Sequence, residues 1–304
     1  MFKVLGLALL VLGLSVCSGV RAEGPLNLEP LLSRDTRLLV FAPHPDDESL
    51  GAAGLLQRVL QKGGRVRVVF MTNGDGYPEG VEQEYHIAQP TAADYRKYGE
   101  ERRGEAVKAD AILGLKESAA IFLGFPDGGL SCLRRQFFAG PPAYTSPYTL
   151  VNCPKASEVI IPRTGYTGHD LTQEMERVMA DFRPNLVATT PLQDEHPDHS
   201  ATYFFVKRAL AHWCRKNPSL NPRILAFLIH YGQWPSGQGA GSGLRLHPPE
   251  GFPDQGMQWL TLALSPEEAM AKRRAILAYH SQMLVMGRYL LSFARANELF
   301  LLEN

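Results

Sequence analysis

The chain has 304 residues, of which 45% are hydrophobic and 20% are charged. This is the composition of a globular protein long enough to form a large core in one or two domains. The 31 basic and 31 acidic side chains balance, so the net charge gives no reason to expect nucleic acid or an anionic membrane surface as a partner.

The first residues have the pattern of a secretory signal. Lys3 supplies a positive charge, residues 4–16 are apolar, and Val20 and Ala22 are small side chains at the positions that a signal peptidase reads. We therefore expect cleavage after Ala22, which removes residues 1–22, and a mature protein that is secreted or periplasmic.

Two other interpretations of this segment are less favoured. A stable membrane span needs about 20 apolar residues, and the apolar run is shorter than that. A lipid anchor on Cys17 is the second alternative, but the valine at position 16 fits a lipoprotein signal badly.

From residue 37 onward, short β-branched or aliphatic runs alternate with helical stretches. The predicted strands are 38–42, 65–72, 119–123, 186–190 and 224–229. The predicted helices are 48–61, 92–113, 171–182, 200–214 and two within 266–300, the second at 284–300. Such alternation indicates βαβ units, hence a mostly parallel sheet with helices on both faces. Ligands of such sheets bind at the carboxyl ends of the strands.

Two segments interrupt the alternation, 131–169 and 232–256, and both are rich in proline or glycine. Long irregular loops in a compact domain often bind ligands or cover a site, and a solvated insertion without a role is the alternative. We predict one domain over residues 23–304 that includes both loops.

Three cysteines remain after the expected cleavage. In an oxidising compartment, a bridge between Cys132 and Cys153 would hold the irregular segment between them, and we favour it over three free thiols. Cys214 would then be unpaired.

The first strand is followed by APHPDDE, residues 42–48. Prolines on both sides of His44 restrict the backbone and favour a fixed presentation of the imidazole and of Asp46 and Asp47. Acidic residues at a helix start also cap exposed N–H groups. Capping explains one or two acids but not a histidine between prolines, so this cluster alone leaves a helix cap and a metal site open.

A second cluster, PLQDEHPDH at residues 191–199, follows the strand at 186–190. Together with the first cluster, His196 and His199 complete the nitrogen and oxygen ligand set of an open catalytic zinc site. Three protein ligands leave a position for water, whose pKa the metal lowers towards neutrality. Two such clusters after strands predict one Zn²⁺ per chain, with Fe²⁺ as the alternative.

The two clusters resemble those of the LmbE/PIG-L family of zinc-dependent N-acetylglucosamine deacetylases. Further similar pieces are MTNGDG (71–76), ERRGEA (101–106), LGFPDGGL (123–130) and YHSQ (279–282). The resemblance extends from about residue 37 to the C-terminus. It implies a Rossmann-like three-layer αβα sandwich and a hydrolase acting on a linear amide C–N bond.

Carried over by position, the resemblance assigns metal ligation to His44, Asp47 and His199. It makes Asp46 the general base that takes a proton from the attacking water. His196 would stabilise the oxyanion or protonate the leaving amine, and Asp198 would orient His196.

Substrate contacts are implied in the same way. Arg102 fits the family arginine on the sugar side, although the adjacent Arg103 leaves the register open. Asn73 and Asp127 would line the cleft.

One position departs from the family pattern. Some members have a tyrosine where this chain has Asp194, so oxyanion stabilisation from that position is in doubt. His230, after another predicted strand, is a candidate replacement or a substrate contact. Trp234 nearby would either stack on a sugar face or pack in the core.

These assignments predict an exported zinc hydrolase that removes an N-acetyl or other N-acyl group from an amino sugar or glycoconjugate. A zinc amidase or esterase on a non-sugar acyl compound is the alternative. A carbohydrate-binding protein without turnover is a third possibility, which Asp46 and His196 disfavour. The expected partner is the N-acetylated substrate, without nucleic acid or a stable membrane span, and the sequence leaves the oligomeric state open.

Overall fold

The structure, a computed structural model, describes residues 24–235, 237, 243–254 and 256–303. The expected signal segment and the cysteine at position 17 lie outside the described residues, so export and lipidation stay predictions. No helix within the described ranges is both long and apolar enough to cross a bilayer.

The described residues form one eight-stranded sheet with helices on both faces. The strands are β1 (Leu26–Asn27), β2 (Arg37–Ala42), β3 (Arg65–Thr72), β4 (Ala120–Phe125), β5 (Leu186–Thr189), β6 (Arg223–Ala226), β7 (Gln258–Ala263) and β8 (Asn297–Glu303). The helices are α1 (Asp47–Gln61), α2 (Pro78–Tyr85), α3 (Ala92–Ile112), α4 (Leu130–Arg135), α5 (Gly168–Phe182), α6 (Pro197–Lys216), α7 (Pro266–Leu277) and α8 (His280–Leu290).

The strand order is β1-β7-β8-β6-β5-β2-β3-β4. Strands β6, β5, β2, β3 and β4 run parallel, and β8 is antiparallel to its two neighbours β6 and β7. The predicted mostly parallel αβα sandwich is therefore confirmed. Because β2 and β5 are adjacent and parallel, the segments that follow them begin at the same edge of the sheet.

Each face of the sheet has its own hydrophobic core. On β2, Leu38 and Val40 pack with α1, α3, α7 and α8, whereas Leu39 and Phe41 pack with α4, α5 and α6. All four side chains are fully buried. Alternating residues of one strand thus reach opposite layers, which explains why its sequence is a continuous apolar run.

The prediction of a helix over 284–300 is wrong beyond Leu290. Residues Asn297–Glu303 form strand β8, between β6 and β7. Five consecutive residues of β8 are buried, and periodicity does not separate such a short apolar run from a buried helix. Strands β1 and β7 and helices α2 and α4 were not predicted, and α4 lies mostly within the segment 131–169 that was predicted to be irregular.

The favoured bridge between Cys132 and Cys153 is also wrong, because both are free thiols, as is Cys214. The first irregular segment is instead connected by backbone hydrogen bonds. Tyr144 N donates to Tyr166 O at 2.9 Å, and Tyr166 N donates to the carbonyl of residue 152 at 2.8 Å.

Candidate metal centre and catalytic cleft

The two histidine clusters meet at the carboxyl edge of the sheet, where each one starts a helix. Asp46 is the N-terminal cap residue of α1, and His196 occupies the same position on α6. Since these helices follow the adjacent strands β2 and β5, their first turns lie side by side. The sheet topology therefore places residues about 150 positions apart in the chain within contact distance.

Three predicted ligand atoms form a nearly equilateral triangle. Asp47 Oδ2 lies 3.3 Å from His44 Nδ1 and 3.3 Å from His199 Nε2. The two nitrogen atoms are 3.2 Å apart. A tetrahedral zinc ion with bonds of about 2.0–2.1 Å separates its ligand atoms by about 3.3–3.4 Å. The residues present therefore fit a zinc ion in both donor chemistry and spacing.

The charges of the triangle favour a cation. Burial opposes a charge on His199, but the carboxylates of Asp194 and Asp47 raise its pKa to about 10. Burial also opposes ionisation of Asp47, but His199 and His44 hold its pKa well below the ordinary value. The ligand atoms thus attract positive charge, which protons or a metal ion can supply.

Other combinations of possible metal ligands, with larger distances between their ligand atoms, include or adjoin residues of the triangle. One combines His44, His196 and His199, and another combines His44, Asp127 and Asp198, with ligand atoms within 4.8 Å of one another. The triangle that includes Asp47 is tighter, and we take it as the candidate metal centre. The residues of the wider groups have other roles, described below.

Two carboxylates hold the far side of the His44 ring. His44 Nε2 lies 3.1 Å from Asp127 Oδ1 and 3.4 Å from Asp198 Oδ2. Burial opposes a charge on His44, but these carboxylates raise its pKa well above the ordinary value. Acceptors at the second nitrogen fix the tautomer and orientation of a metal-binding histidine, leaving Nδ1 for the metal.

The contacts of Asp198 differ from those expected for a residue that orients His196. Its carboxylate contacts His44 and accepts hydrogen bonds from the amides of Gly128 at 2.7 Å and Leu130 at 3.0 Å. Only its backbone amide reaches His196, donating to Nδ1 at 3.2 Å. Asp198 is fully buried, and these contacts favour a residue that positions His44 over one that orients His196.

Asp194 supports the other histidine of the triangle. Its Oδ2 lies 3.2 Å from His199 Nδ1 and accepts hydrogen bonds from the amides of Ile229 and His230, both at 3.0 Å. Burial opposes its ionisation, but His199 lowers its pKa. The position where some family members have tyrosine thus carries a buried anion here, and the motif gave no signal of that role.

Asp46 lies beside the triangle and outside it. Its backbone has φ 142°, which strains a residue with a side chain. Its amide donates to Glu48 Oε2 at 3.2 Å, and its Oδ2 lies 3.3 Å from Arg102 Nη2. Burial raises the pKa of Asp46 to about 8, against the opposing effect of Arg102. A carboxyl group with a pKa near neutrality can both accept and release a proton during a reaction.

The structure resolves the choice between two adjacent arginines. Arg102 is 3% exposed and donates to the carbonyls of Gly74 at 3.0 Å and Pro45 at 2.7 Å. Arg103 points elsewhere and pairs with Glu158 at 2.5 Å. Arg102 therefore belongs to the cleft, where its described bonds hold the loop around Asp46, and its contact with a sugar stays a prediction.

His196 presents one nitrogen to the cleft. Because Nδ1 accepts the amide of Asp198, a neutral ring carries its proton on Nε2. Burial and the neighbouring imidazoles of His44 and His199 lower the pKa of His196 to about 2. A neutral ring of this tautomer can donate a hydrogen bond from Nε2 to a developing oxyanion.

The cleft over the metal centre has a volume of about 260 Å³. Besides the residues already described, its lining consists of Leu50, Gly76, Tyr77, Gly128, Ile229, His230, Gln282, Met286, Tyr289 and Leu290. His230 is in the cleft as predicted and stacks on Tyr289 with ring centroids 5.6 Å apart.

Other predicted contact residues have different positions. Asp127 lines the cleft, but its carboxylate binds His44 and the Gly76 amide. Asn73 is not in the cleft lining, because its side chain turns to Glu158 and borders a neighbouring cavity of about 220 Å³. Trp234 packs on a phenylalanine ring and lines a separate cavity of about 530 Å³.

The prediction missed the wall that α8 contributes. Gln282, Met286 and Leu290 recur every four residues and so share one helix face, which lines the cleft. Gln282 belongs to the YHSQ piece, but its pairing with Tyr98 Oη at 2.7 Å joins residues that are remote in the chain. Tyr289 donates to Ile229 O at 2.7 Å and fixes α8 against the segment after β6.

The family model described as PIG-L, GlcNAc-PI de-N-acetylase, matches residues 39–210. A 1D-myo-inositol 2-acetamido-2-deoxy-alpha-D-glucopyranoside deacetylase from Nakamurella multipartita is 32% identical over 199 residues, which is 63% of this chain and 59% of the relative. The chain thus spans less than two thirds of the length of this curated relative.

Solved structures share the fold at low sequence identity. The N,N'-diacetylchitobiose deacetylase from Pyrococcus horikoshii has a TM-score of 0.54 at 17% identity, covering 89% of this chain and 85% of its own. The 4-carboxy-2-hydroxymuconate hydratase from Pseudomonas putida KT2440 has a TM-score of 0.52 at 16% identity, covering 85% and 82%. Because one fold serves both a deacetylase and a hydratase, the chemistry has to be argued from the site.

Proposed function

This chain belongs to the PIG-L family of GlcNAc-PI de-N-acetylases, and on that premise we propose that it is a metal-dependent deacetylase of N-acetylated amino sugars or glycoconjugates. The observation that carries the proposal is the ligand triangle of His44, Asp47 and His199 with Asp46 beside it. The triangle supplies three protein ligands, and Asp46 keeps a carboxyl group free of that role.

A zinc ion held by the triangle would polarise the amide carbonyl and lower the pKa of the attacking water. Asp46 takes the proton that this water releases, because its carboxyl group lies in the cleft beside the ligand triangle and outside it. His196 donates from Nε2 to the carbonyl oxygen as negative charge develops there. The C–O bond forms, and the C–N bond breaks as Asp46 passes that proton to the nitrogen, which leaves acetate and a free amine.

The proposed substrate is a sugar with an acetamido group, attached to a larger glycan or aglycone. The names of the relatives support this class, since they describe deacetylases of acetamido sugars. The cleft supports it as well, because its lining includes Tyr77, a partly exposed aromatic side chain of the kind that stacks on sugar rings.

An acetate-release assay tests the proposal. Mature protein loaded with Zn²⁺ or Fe²⁺ is incubated with N-acetylglucosamine, N-acetylated oligosaccharides and peptidoglycan fragments, and acetate and free amine are both quantified. We expect equal amounts of the two from at least one sugar, and release slower by about 10²–10⁴ from Asp46→Asn. Turnover only of non-sugar amides or esters would favour the alternative hydrolase, and sugar binding without release would favour a binding protein.

We also propose that the protein acts after export. The support is the signal pattern of residues 1–22. Mass spectrometry of the mature N-terminus from cell fractions tests this, with residue 23 expected as the first residue. A full-length protein retained in the cytoplasm would contradict it.

A further inference from the structure

The cleft has a partly exposed polar rim and a buried part that holds both polar and apolar side chains. The rim includes Gly76, Tyr77, His196 and His230. The apolar members of the buried part, which we call the floor, are Leu50, Ile229 and Leu290, exposed by 3%, 1% and 1%. A glycoconjugate substrate is polar and extends outside the protein, so its sugar belongs at the rim. The acyl group is the apolar end of the substrate, and the floor suits it.

The floor adjoins the reacting groups. Leu50 lies one helical turn after Asp46, and its amide donates to the carbonyl of Asp46 at 2.9 Å. Ile229 directly precedes His230, and Tyr289 holds its carbonyl at 2.7 Å. Leu50, Ile229 and Leu290 belong to one buried hydrophobic cluster, so the apolar part of the lining is contiguous and shares the cleft with Asp46 and Asp47.

Met286 borders the floor from α8. It lies four residues from both Gln282 and Leu290, on the helix face that lines the cleft. Its backbone, with φ −125° and ψ 24°, departs from helical values and forms a kink in α8. Its side chain is partly buried and unbranched, so it can change rotamer at small cost.

We propose that Leu50, Ile229, Leu290 and Met286 form an acyl-chain subsite that admits chains longer than acetyl, and that Met286 sets the longest chain accepted. This inference rests on the proposed function and adds a substrate class, short-chain N-acyl amino sugars. The reaction is unchanged: the C–N bond breaks, the C–O bond forms, and the released carboxylate carries the longer chain.

The test uses a chain-length series of N-acetyl-, N-butanoyl- and N-hexanoylglucosamine. Release of glucosamine gives kcat/KM for the wild type, Met286→Ala and Leu284→Ala. Leu284 is the matched control, because it lies on the same helix, is 49% exposed and does not line the cleft. We expect Met286→Ala to raise the butanoyl-to-acetyl ratio of kcat/KM by about tenfold, since each buried methylene changes affinity several-fold. Leu284→Ala should leave the ratio unchanged.

A binding series separates this inference from the proposed function. The same three sugars are titrated calorimetrically into Asp46→Asn and into Asp46→Asn with Met286→Ala, whose turnover should be too slow to consume the sugar during a titration. A shift towards longer chains in the double variant supports the subsite even where the wild type releases no amine. A chain-length profile that Met286→Ala leaves unchanged in binding, or in turnover with acetyl activity intact, overturns the inference.

Discussion

Two groups of buried carboxylates meet at the first turn of α1, and they differ in what they face. Asp47 faces the imidazoles of His44 and His199, which hold its pKa well below the ordinary value against the effect of burial. Glu48, the next residue, faces the hydroxyl groups of Ser49 and Tyr279, and burial raises its pKa to about 7.

The same division extends beyond the helix. Asp127 and Asp194 lie on the imidazole side and have lowered pKa values, although burial opposes this. Asp110 of α3 lies on the other side, where burial and then Glu48 raise its pKa well above the ordinary value. Neighbouring charge thus decides which carboxylates are anions and which hold protons. The motif PDDE contains both an anionic carboxylate, Asp47, and a carboxyl group with a raised pKa, Glu48, because one faces the imidazoles and the other faces away from them.

Removing one of the imidazoles that face the anionic carboxylates should have the largest effect on metal binding and turnover. We expect His199→Ala to lose bound metal and all measurable turnover, because the variant lacks one of the three atoms of the ligand triangle and the imidazole that lies between Asp47 and Asp194. Metal analysis after gel filtration measures this. His212→Ala is the control, since His212 is on the same helix but pairs with Glu176. A full metal complement in His199→Ala would refute its assignment as a ligand.

Asp46→Asn tests the residue at the boundary. It should retain metal, because Asp46 is outside the ligand triangle, while kcat falls by about 10²–10⁴ through loss of the base. Acetate release and metal content are measured on the same sample. Unchanged turnover would refute the base assignment, and a lost metal would place Asp46 among the ligands.

Asp198→Asn distinguishes the two roles considered for that residue. We expect metal affinity to fall by about 10–100-fold, because the carboxylate orients His44. Competition with a chelator measures the affinity. Asp170→Asn is the matched control, since Asp170 lies in the first turn of α5 and its carboxylate accepts a hydrogen bond from the nearby amide of Gly165 at 2.8 Å. A loss of kcat with unchanged metal affinity would instead restore the predicted role of orienting His196.

Replacing a protonated carboxyl group, Asp110, should have the smallest effect, and we expect that effect on the free energy of unfolding. Since the folded state keeps a proton on Asp110 that the unfolded chain releases above about pH 4, stability falls as pH rises through that range. Asp110→Asn should match the wild type near pH 4 and be more stable by about 1–3 kcal/mol at pH 7. Urea denaturation at several pH values measures this.

The exposed Asp181 provides a control of opposite sign. A hydrogen bond from Arg67 lowers its pKa, so Asp181→Asn should reduce stability slightly near neutral pH. A difference between Asp110→Asn and the wild type that stays constant from pH 4 to pH 8 would contradict a buried proton on Asp110.

From the sequence we could predict the parts of the site whose residues directly follow a strand. The two clusters directly follow β2 and β5, and a parallel sheet brings the ends of such strands together. The sequence alone was therefore sufficient to predict that His44, Asp46 and His199 lie close together. Neighbouring prolines and the helix starts gave the motif its rigid backbone.

What the sequence did not predict depends on pairs that are distant in the chain. The carboxylate of Asp198 turns to His44, 154 residues earlier, rather than to His196 beside it. Tyr289 reaches Ile229 over 60 residues. The spacing of residues along the chain does not predict such contacts, because they form only when α6 and α8 pack against the sheet.

The strained backbone of Asp46 has a consequence for selection. A residue with φ 142° and a side chain lowers stability by about 1–3 kcal/mol relative to one without strain, and glycine would adopt this angle freely. A library of variants at this position sorted for thermal resistance alone would therefore enrich glycine. If Asp46 is the proposed base, the same library sorted for turnover would return aspartate, a residue that backbone strain alone disfavours.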